Sequence, residues 1–233
     1  ALIQRAGTTM IDAERARLGQ ETLTALDAAP TYAVARHSRG DNASALIYAC
    51  TLGDRLALDG VEAVAVTGNS MGWYSALACA GALSPMDGFT VVNTMGTLMQ
   101  EALIGGQLVY PFMGEGWVDA PERRAELLAL VEDIDTRGGH DLARSIDLGG
   151  MLVIAGNEAG LAAFEAAVPP VQGRFPLRLG NHAAFHTALQ DPVAAKGRSA
   201  IPKSLFTQPK TPLIDGRGHV WWPGAATTDA LYD

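Results

Sequence analysis

Little in this chain is charged, sulfur-bearing or continuously apolar. Charged side chains make up 18% of its 233 residues, against about 25% in ordinary soluble domains, so much of the sequence is available to fill a core. With 48% hydrophobic residues, wholesale disorder is excluded, because such a chain has ample apolar surface to bury. No apolar run reaches the roughly 18 residues that a membrane-spanning helix needs. No secretory leader is expected where ALIQRAGTTMIDAERA breaks early into charge. The two cysteines, Cys50 and Cys79, are too few for a disulfide framework and lack metal-ligand spacing, which makes a reducing cytoplasm the expected setting. The length suits one large domain or two small ones.

A net charge of −8 disfavours a nucleic-acid binder. The charge is nevertheless uneven. Between Val171 and Ile214, Arg174, Arg178, Lys196, Arg198, Lys203 and Lys210 face the single acid Asp191, six basic residues against one, net +5. Such a segment is either a set of solvated surface charges or a surface that steers an acidic or phosphorylated partner.

The hydrophobic pattern predicts an α/β protein. Helices are expected over 11–28, from Asp41/Asn42 to about Leu56, and over 70–80. Between the last two, VEAVAV (61–66) has the short, β-branched, apolar character of a strand buried in a parallel sheet. Ser84-Pro85-Met86-Asp87 opens a further helix, with Ser as N-cap, Pro at the first helical position and an acid at the third. Beyond Gly105-Gly106 come a strand (107–112), a helix (121–135), two strands joined at Gly149-Gly150, a helix (157–168) and a strand (173–179). That order, βαββαβ, is ferredoxin-like. The expected organisation is an α/β body (1–106 and 181–233) interrupted by a ferredoxin-like insertion (107–180).

Gly68-Asn69-Ser70-Met71-Gly72 reads G-x-S-x-G between a predicted strand and a predicted helix. A sharp strand-to-helix turn would lift the Ser70 hydroxyl clear of the sheet, and the glycines would let the backbone fold tightly beneath it. The Met71 N–H, at the helix N-terminus, would face a developing oxyanion. The plainer reading makes Ser70 a cap on an ordinary helix. A nucleophilic serine needs a base, and there are five histidines: His37, His140, His182, His186 and His219. His37 and His140 fall in expected surface loops. His182 and His186 follow the last insertion strand. Their HAAFH spacing could suit two metal ligands, but no acid or cysteine nearby supports zinc.

Four collinear segments carry a resemblance: GNSMGWYSALACAGALSPMDG (68–88), MGTLMQEA (95–102), SIDLGGMLVIAGNEAGLAAF (145–164) and FHTALQDPVA (185–194). They resemble the malonyl-CoA:acyl-carrier-protein transacylases, over most of residues 40–220. The resemblance implies an α/β-hydrolase-like body with a ferredoxin-like insertion, and ping-pong acyl transfer. Ser70 would take an acyl group from coenzyme A and pass it to the phosphopantetheine thiol of an acyl carrier protein, in fatty acid or polyketide synthesis. His186 would be the base and Met71 N–H half of the oxyanion hole. No permanently bound cofactor, metal, nucleic acid or membrane is implied. Asn69, Trp73, Gly96 and Phe185 would border the acyl pocket, and Lys196, Arg198 and Lys203 would meet the carrier protein or coenzyme A phosphates. The chain departs from the family pattern at Asn69 (usually His) and Trp73 (usually Glu). It departs again at Gly96, where the resemblance places the arginine that pairs with a malonyl carboxylate. The family's P-G-Q-G loop is not found before Ile11, nor its closing segment after Asp233, so a body incomplete at both ends is expected. Phe185 fits a small acyl group. Two other readings remain open: a serine hydrolase or thioesterase, with Asp147 as an available acid, and a degenerate domain that docks carrier protein.

Overall fold

The computed structural model describes residues 8–232. They gather into two compact units, one comprising residues up to Gln100 with those from Lys196 onward, the other running from Glu101 to Ala195. The second unit extends beyond both ends of the segment 107–180 expected as an insertion.

The first unit begins with α1 (Thr8–Arg17), α2 (Leu23–Asp27), α3 (Val34–His37) and α4 (Gly40–Ala57). The single helix expected over 11–28 is therefore two. Gly19, at φ 71°, takes a left-handed turn in which Gln20 N–H reaches Arg15 O and Gly19 N–H reaches Ala16 O. This paired closure ends α1 where the helical pattern alone would continue. His37, expected on a surface loop, is instead buried in α3 with its ring nitrogens on the Ala33 and Leu26 carbonyls.

Next come β1 (Val66–Thr67), α5 (Met71–Cys79) and α6 (Pro85–Ala102). At the start of α6, Ser84 Oγ accepts from Asp87 N–H at 3.1 Å and donates to the Asp87 carboxylate, the reciprocal cap expected from the sequence. The strand expected over 61–66 is not there at that length. Only Val66 and Thr67 pair, in parallel with β6 (Leu213–Ile214), which pairs antiparallel with β7 (Val220–Trp221). The sheet order β1-β6-β7 leaves β1 at an edge, and Val61 and Val64 are 64% and 81% exposed. Apolar composition indicated burial, but burial of a strand needs neighbours on both sides. The core of this unit is accordingly helical, centred on Tyr48, Leu77, Leu83 and Phe89. After α9 (Asp191–Ala200) and the β6–β7 pair, α10 (Thr228–Tyr232) closes the described chain.

The second unit holds β2 (Gly106–Pro111), α7 (Pro121–Asp135), β3 (Leu142–Asp147), β4 (Met151–Gly156), α8 (Glu158–Ala167) and β5 (Leu177–Arg178). Its sheet, in the order β3-β4-β2-β5, is antiparallel throughout. This is the ferredoxin-like arrangement expected from the βαββαβ pattern. Alternation along β2 sends Leu108 and Tyr110 into a core with Ile154, Leu161 and Phe164, because successive strand residues point to opposite faces. Gln107 lies on the other face. Ser145 is the extra residue of a β-bulge: Arg144 pairs with Ile154 and Ile146 with Val153, with Ser145 between them unpaired. Such bulges re-aim a side chain.

Among the described residues, no helix is long and apolar enough to cross a membrane, and no group of three or more His, Cys, Asp or Glu could hold a metal ion. Cys50 and Cys79 are free thiols whose pKa values burial pushes up.

Candidate active site

In the first unit, β1 runs into Gly68-Asn69-Ser70 and then directly into α5. Ser70 has φ 55° and ψ −127°, a conformation rarely open to a residue with a Cβ. Its side chain makes no capping hydrogen bond to the helix, which disposes of the plain capping reading. A Cβ on Gly68 would sit 2.5 Å from the Gly72 carbonyl carbon and 2.9 Å from Trp73 N. Glycine is therefore required at 68 by the tightness of the turn, whereas a Cβ at Gly72 would meet nothing within 4 Å. Gly72 N–H returns to Asn69 O and Trp73 N–H to Ser70 O, both at 2.9 Å. Among the described residues, no acceptor inside the protein meets Met71 N–H. A strained serine, a tight glycine beneath it and an open N–H beside it form the strand–turn–helix elbow that nucleophilic serines use.

The elbow is braced from the neighbouring strand. Thr67 Oγ1 donates to Ile214 O at 2.9 Å, and a Cβ on Gly216 would lie 2.5 Å from Asn69 Oδ1, so the loop after β6 presses on the Asn69 side chain. Asp215 anchors that loop. Burial alone would raise its pKa, but Arg217, the N–H groups of His219 and Arg217, and the Trp221 ring N–H outweigh it, bringing the value down to about 2.

The histidine-bearing segment belongs to the second unit. Asn181 and His186 both have positive φ, 57° and 59°, and the stretch between them is pinned. Ala184 N–H donates to Ile104 O at 2.7 Å, and Thr187 Oγ1 donates to Ala184 O at 2.7 Å. Ser145 Oγ donates to Phe185 O at 2.8 Å. Gln107, 3% exposed, joins its Nε2 to Ser145 Oγ at 2.8 Å and its Oε1 to His182 Nδ1 at 2.8 Å. The His182 and Phe185 rings meet edge to face at 5.7 Å. Desolvation lowers the pKa of both His182 and His186, although each also presents a face to solvent. The shift favours the neutral, proton-accepting form of each imidazole. Sequence reasoning missed Gln107, Ser145 and Thr187. The one available signal was a glutamine inside an otherwise apolar strand.

The other expected site residues are placed less uniformly. Trp73 is half-buried against the helical core. Gly96 lies in a helix contact: a Cβ there would be 2.8 Å from Gly40 O and 2.9 Å from Ser44 Oγ. Lys196 and Arg198 are exposed on α9. Lys203 reaches Asp229 at 3.3 Å and lies over the Tyr232 ring. Arg178, in the same basic stretch, is spent within its own unit on Glu158 and Glu165. Asp147, the acid available to a hydrolase, is bound to Arg124. Burial would raise its pKa, but Gly149 N–H and Arg124 lower it.

No family model matches the chain. Solved structures do match, and what they share with this chain is the fold, one seen in acyltransferase structures. The malonyl-CoA:acyl carrier protein transacylase of Synechocystis sp. PCC 6803 superposes with TM-score 0.75 at 20% identity, over 99% of this chain and 72% of that one. A malonyl-transacylase solved in complex with a type II PKS acyl-carrier protein gives 0.73 at 20%, over 97% and 70%. Among curated proteins, the malonyl CoA-acyl carrier protein transacylase of Salmonella typhimurium is 28% identical over 154 residues, 64% of this chain and 46% of the relative. The chain thus spans about half the length of that relative. In sequence and in fold, the family it is similar to is the malonyl-CoA:acyl-carrier-protein transacylases.

Proposed function

We propose that this chain carries the catalytic centre of an acyl-CoA:acyl-carrier-protein S-acyltransferase, working through an acyl-Ser70 intermediate with His186 as base. The observation that carries the proposal is the backbone of Ser70, φ 55° and ψ −127° at the head of α5, a strain that persists where function uses it. The names of the sequence relatives and fold neighbours point the same way. In the first half-reaction the Ser70 Oγ–H proton passes to neutral His186 as Oγ attacks the thioester carbonyl carbon. Met71 N–H donates to the oxyanion, the C–S bond breaks, and His186 returns the proton to the coenzyme A thiolate. The phosphopantetheine thiol of an acyl carrier protein then repeats the steps in reverse, as fatty acid or polyketide synthesis requires.

Malonyl and small neutral acyl groups both remain substrates under this reading. The helix in which the family pattern places a malonyl-binding arginine, α6, contains no lysine or arginine, and a carboxylate buried without a cation is costly. Asn69, Trp73 and Phe185 are the remaining candidates for contact with the acyl group. Exposed Lys196 and Arg198, with Lys203, offer positive charge to an acidic carrier protein or to coenzyme A phosphates.

Incubation with malonyl-CoA and with acetyl-CoA, followed by intact mass, tests the proposal. The expected result is an adduct absent from Ser70→Ala, stable in water and discharged by a phosphopantetheine-bearing carrier protein. An adduct that hydrolyses without transfer would make the protein a hydrolase, and no adduct with either substrate would leave only a docking role.

A further inference from the structure

The hydrogen bonds around Gln107 run in one direction only. The Phe185 carbonyl can accept but not donate, so the Ser145 hydroxyl spends its proton there, at 2.8 Å. Having spent it, Ser145 Oγ accepts from Gln107 Nε2 at 2.8 Å. That leaves Gln107 Oε1 to accept from His182 Nδ1–H at 2.8 Å. Each of the three contacts then pairs one donor with one acceptor, and a flip of the amide breaks the set, because a reversed amide would take the Ser145 proton and strip the donor from Phe185. A buried network with one consistent polarity rigidifies what it touches.

What it touches are the two ends of the tetrapeptide 182–185, the residues that deliver His186. His186 sits at φ 59°, a backbone state that a β-carbon disfavours and that persists only when its surroundings over-determine it. Ser145 reaches Phe185 because it is the bulged residue of β3, out of register with β4. Gln107 reaches both partners because it occupies the sheet face away from the core formed by Leu108 and Tyr110.

We propose that Ser145 and Gln107 are positioning residues that hold the backbone of His186 in its working conformation, with His182 as the outer anchor of the clamp. This rests on the reading of His186 as the base. Ser145→Ala removes a single hydroxyl and no ladder hydrogen bond, so it carries the test. Single-turnover acylation of Ser70 by malonyl-CoA is expected to slow about tenfold in Ser145→Ala at unchanged KM, since misplacing a reacting group costs rate rather than ground-state binding. Ser145→Thr, which keeps the hydroxyl, should restore the rate. On a His186→Ala background, Ser145→Ala should add nothing.

An unchanged rate in Ser145→Ala, with acylation abolished by His186→Ala, overturns the clamp and leaves the base intact. Undiminished acylation in His186→Ala overturns the base. The clamp itself is then read without activity, from the His186 ring resonances in the NMR spectrum. These should shift or broaden in Ser145→Ala and in Gln107→Leu, and resonances identical to the parent's in both variants would refute it.

Discussion

The two units hold their candidate site residues by opposite means. In the first, three strands of two residues each make a thin sheet, and the nucleophile candidate is set by the main chain: a tight turn over Gly68 fixes Ser70 whatever its side chain does. In the second, strands β2, β3 and β4 are six residues long and laddered along their length except at the Ser145 bulge. There the histidine lies outside the ladder, on a loop held by side chains: Gln107, Ser145 and Thr187. A serine that must stand out from its strand can be placed by backbone strain alone. An imidazole that must present one nitrogen needs its loop held by polar partners.

Substituting the elbow serine strains this comparison most. Ser70→Gly should reduce adduct formation to about a thousandth of the parent rate or less, measured by intact-mass kinetics. It should also raise Tm by about 3 °C, because glycine adopts φ 55°, ψ −127° without penalty and a strain of about 1 kcal/mol is relieved. A lower Tm would remove backbone strain from the account of the elbow. The laddered unit should answer differently: Ile154→Ala, wholly buried in the second core, should cost about 3 kcal/mol in urea unfolding.

The pH dependence sharpens the contrast from the histidine's side. Desolvation holds the His186 pKa below the ordinary 6.5, so the ring is neutral at pH 7 and becomes protonated as pH falls through the lowered value. Acylation of Ser70 should therefore rise with pH through a midpoint below 6.5 and then level off. A midpoint above that value would mean that another group supplies the base. The smallest effect belongs to the segment leading into the thin sheet: Val64→Ala, at 81% exposure, should change stability by less than about 0.5 kcal/mol. A loss comparable to that of Ile154→Ala would show that residues 61–65 are buried in solution.

Features set by near neighbours were legible in the sequence. The Ser84 cap, the span of α7 from Pro121 to Asp135, the Gly149-Gly150 hairpin and the Gly68–Gly72 elbow all stand where their patterns put them, because caps, turns and helical faces depend on residues a few positions apart. The two histidines were visible as a pair, and only the resemblance carried by FHTALQDPVA, not their spacing, made His186 the expected base. Exposure was harder to read. VEAVAV has the composition of a buried strand, yet Val61 and Val64 face solvent.

What the sequence by itself determined, then, is the ferredoxin-like order of elements between Gly106 and Arg178 and the strand–turn–helix context of Ser70. Only the tertiary structure decided which polar groups are buried and what satisfies them. Arg15, a surface-type residue in any sequence reading, is fully buried. Its guanidinium reaches the Glu21 and Asp41 carbonyls and the side chains of Asn42 and Asn93, the last 78 residues away. Gln107 finds His182 across 75 residues and Ser145 across 38. A buried donor must have an acceptor or forfeit its hydration, and at such separations the acceptor is chosen by how the chain folds back rather than by any spacing written along it.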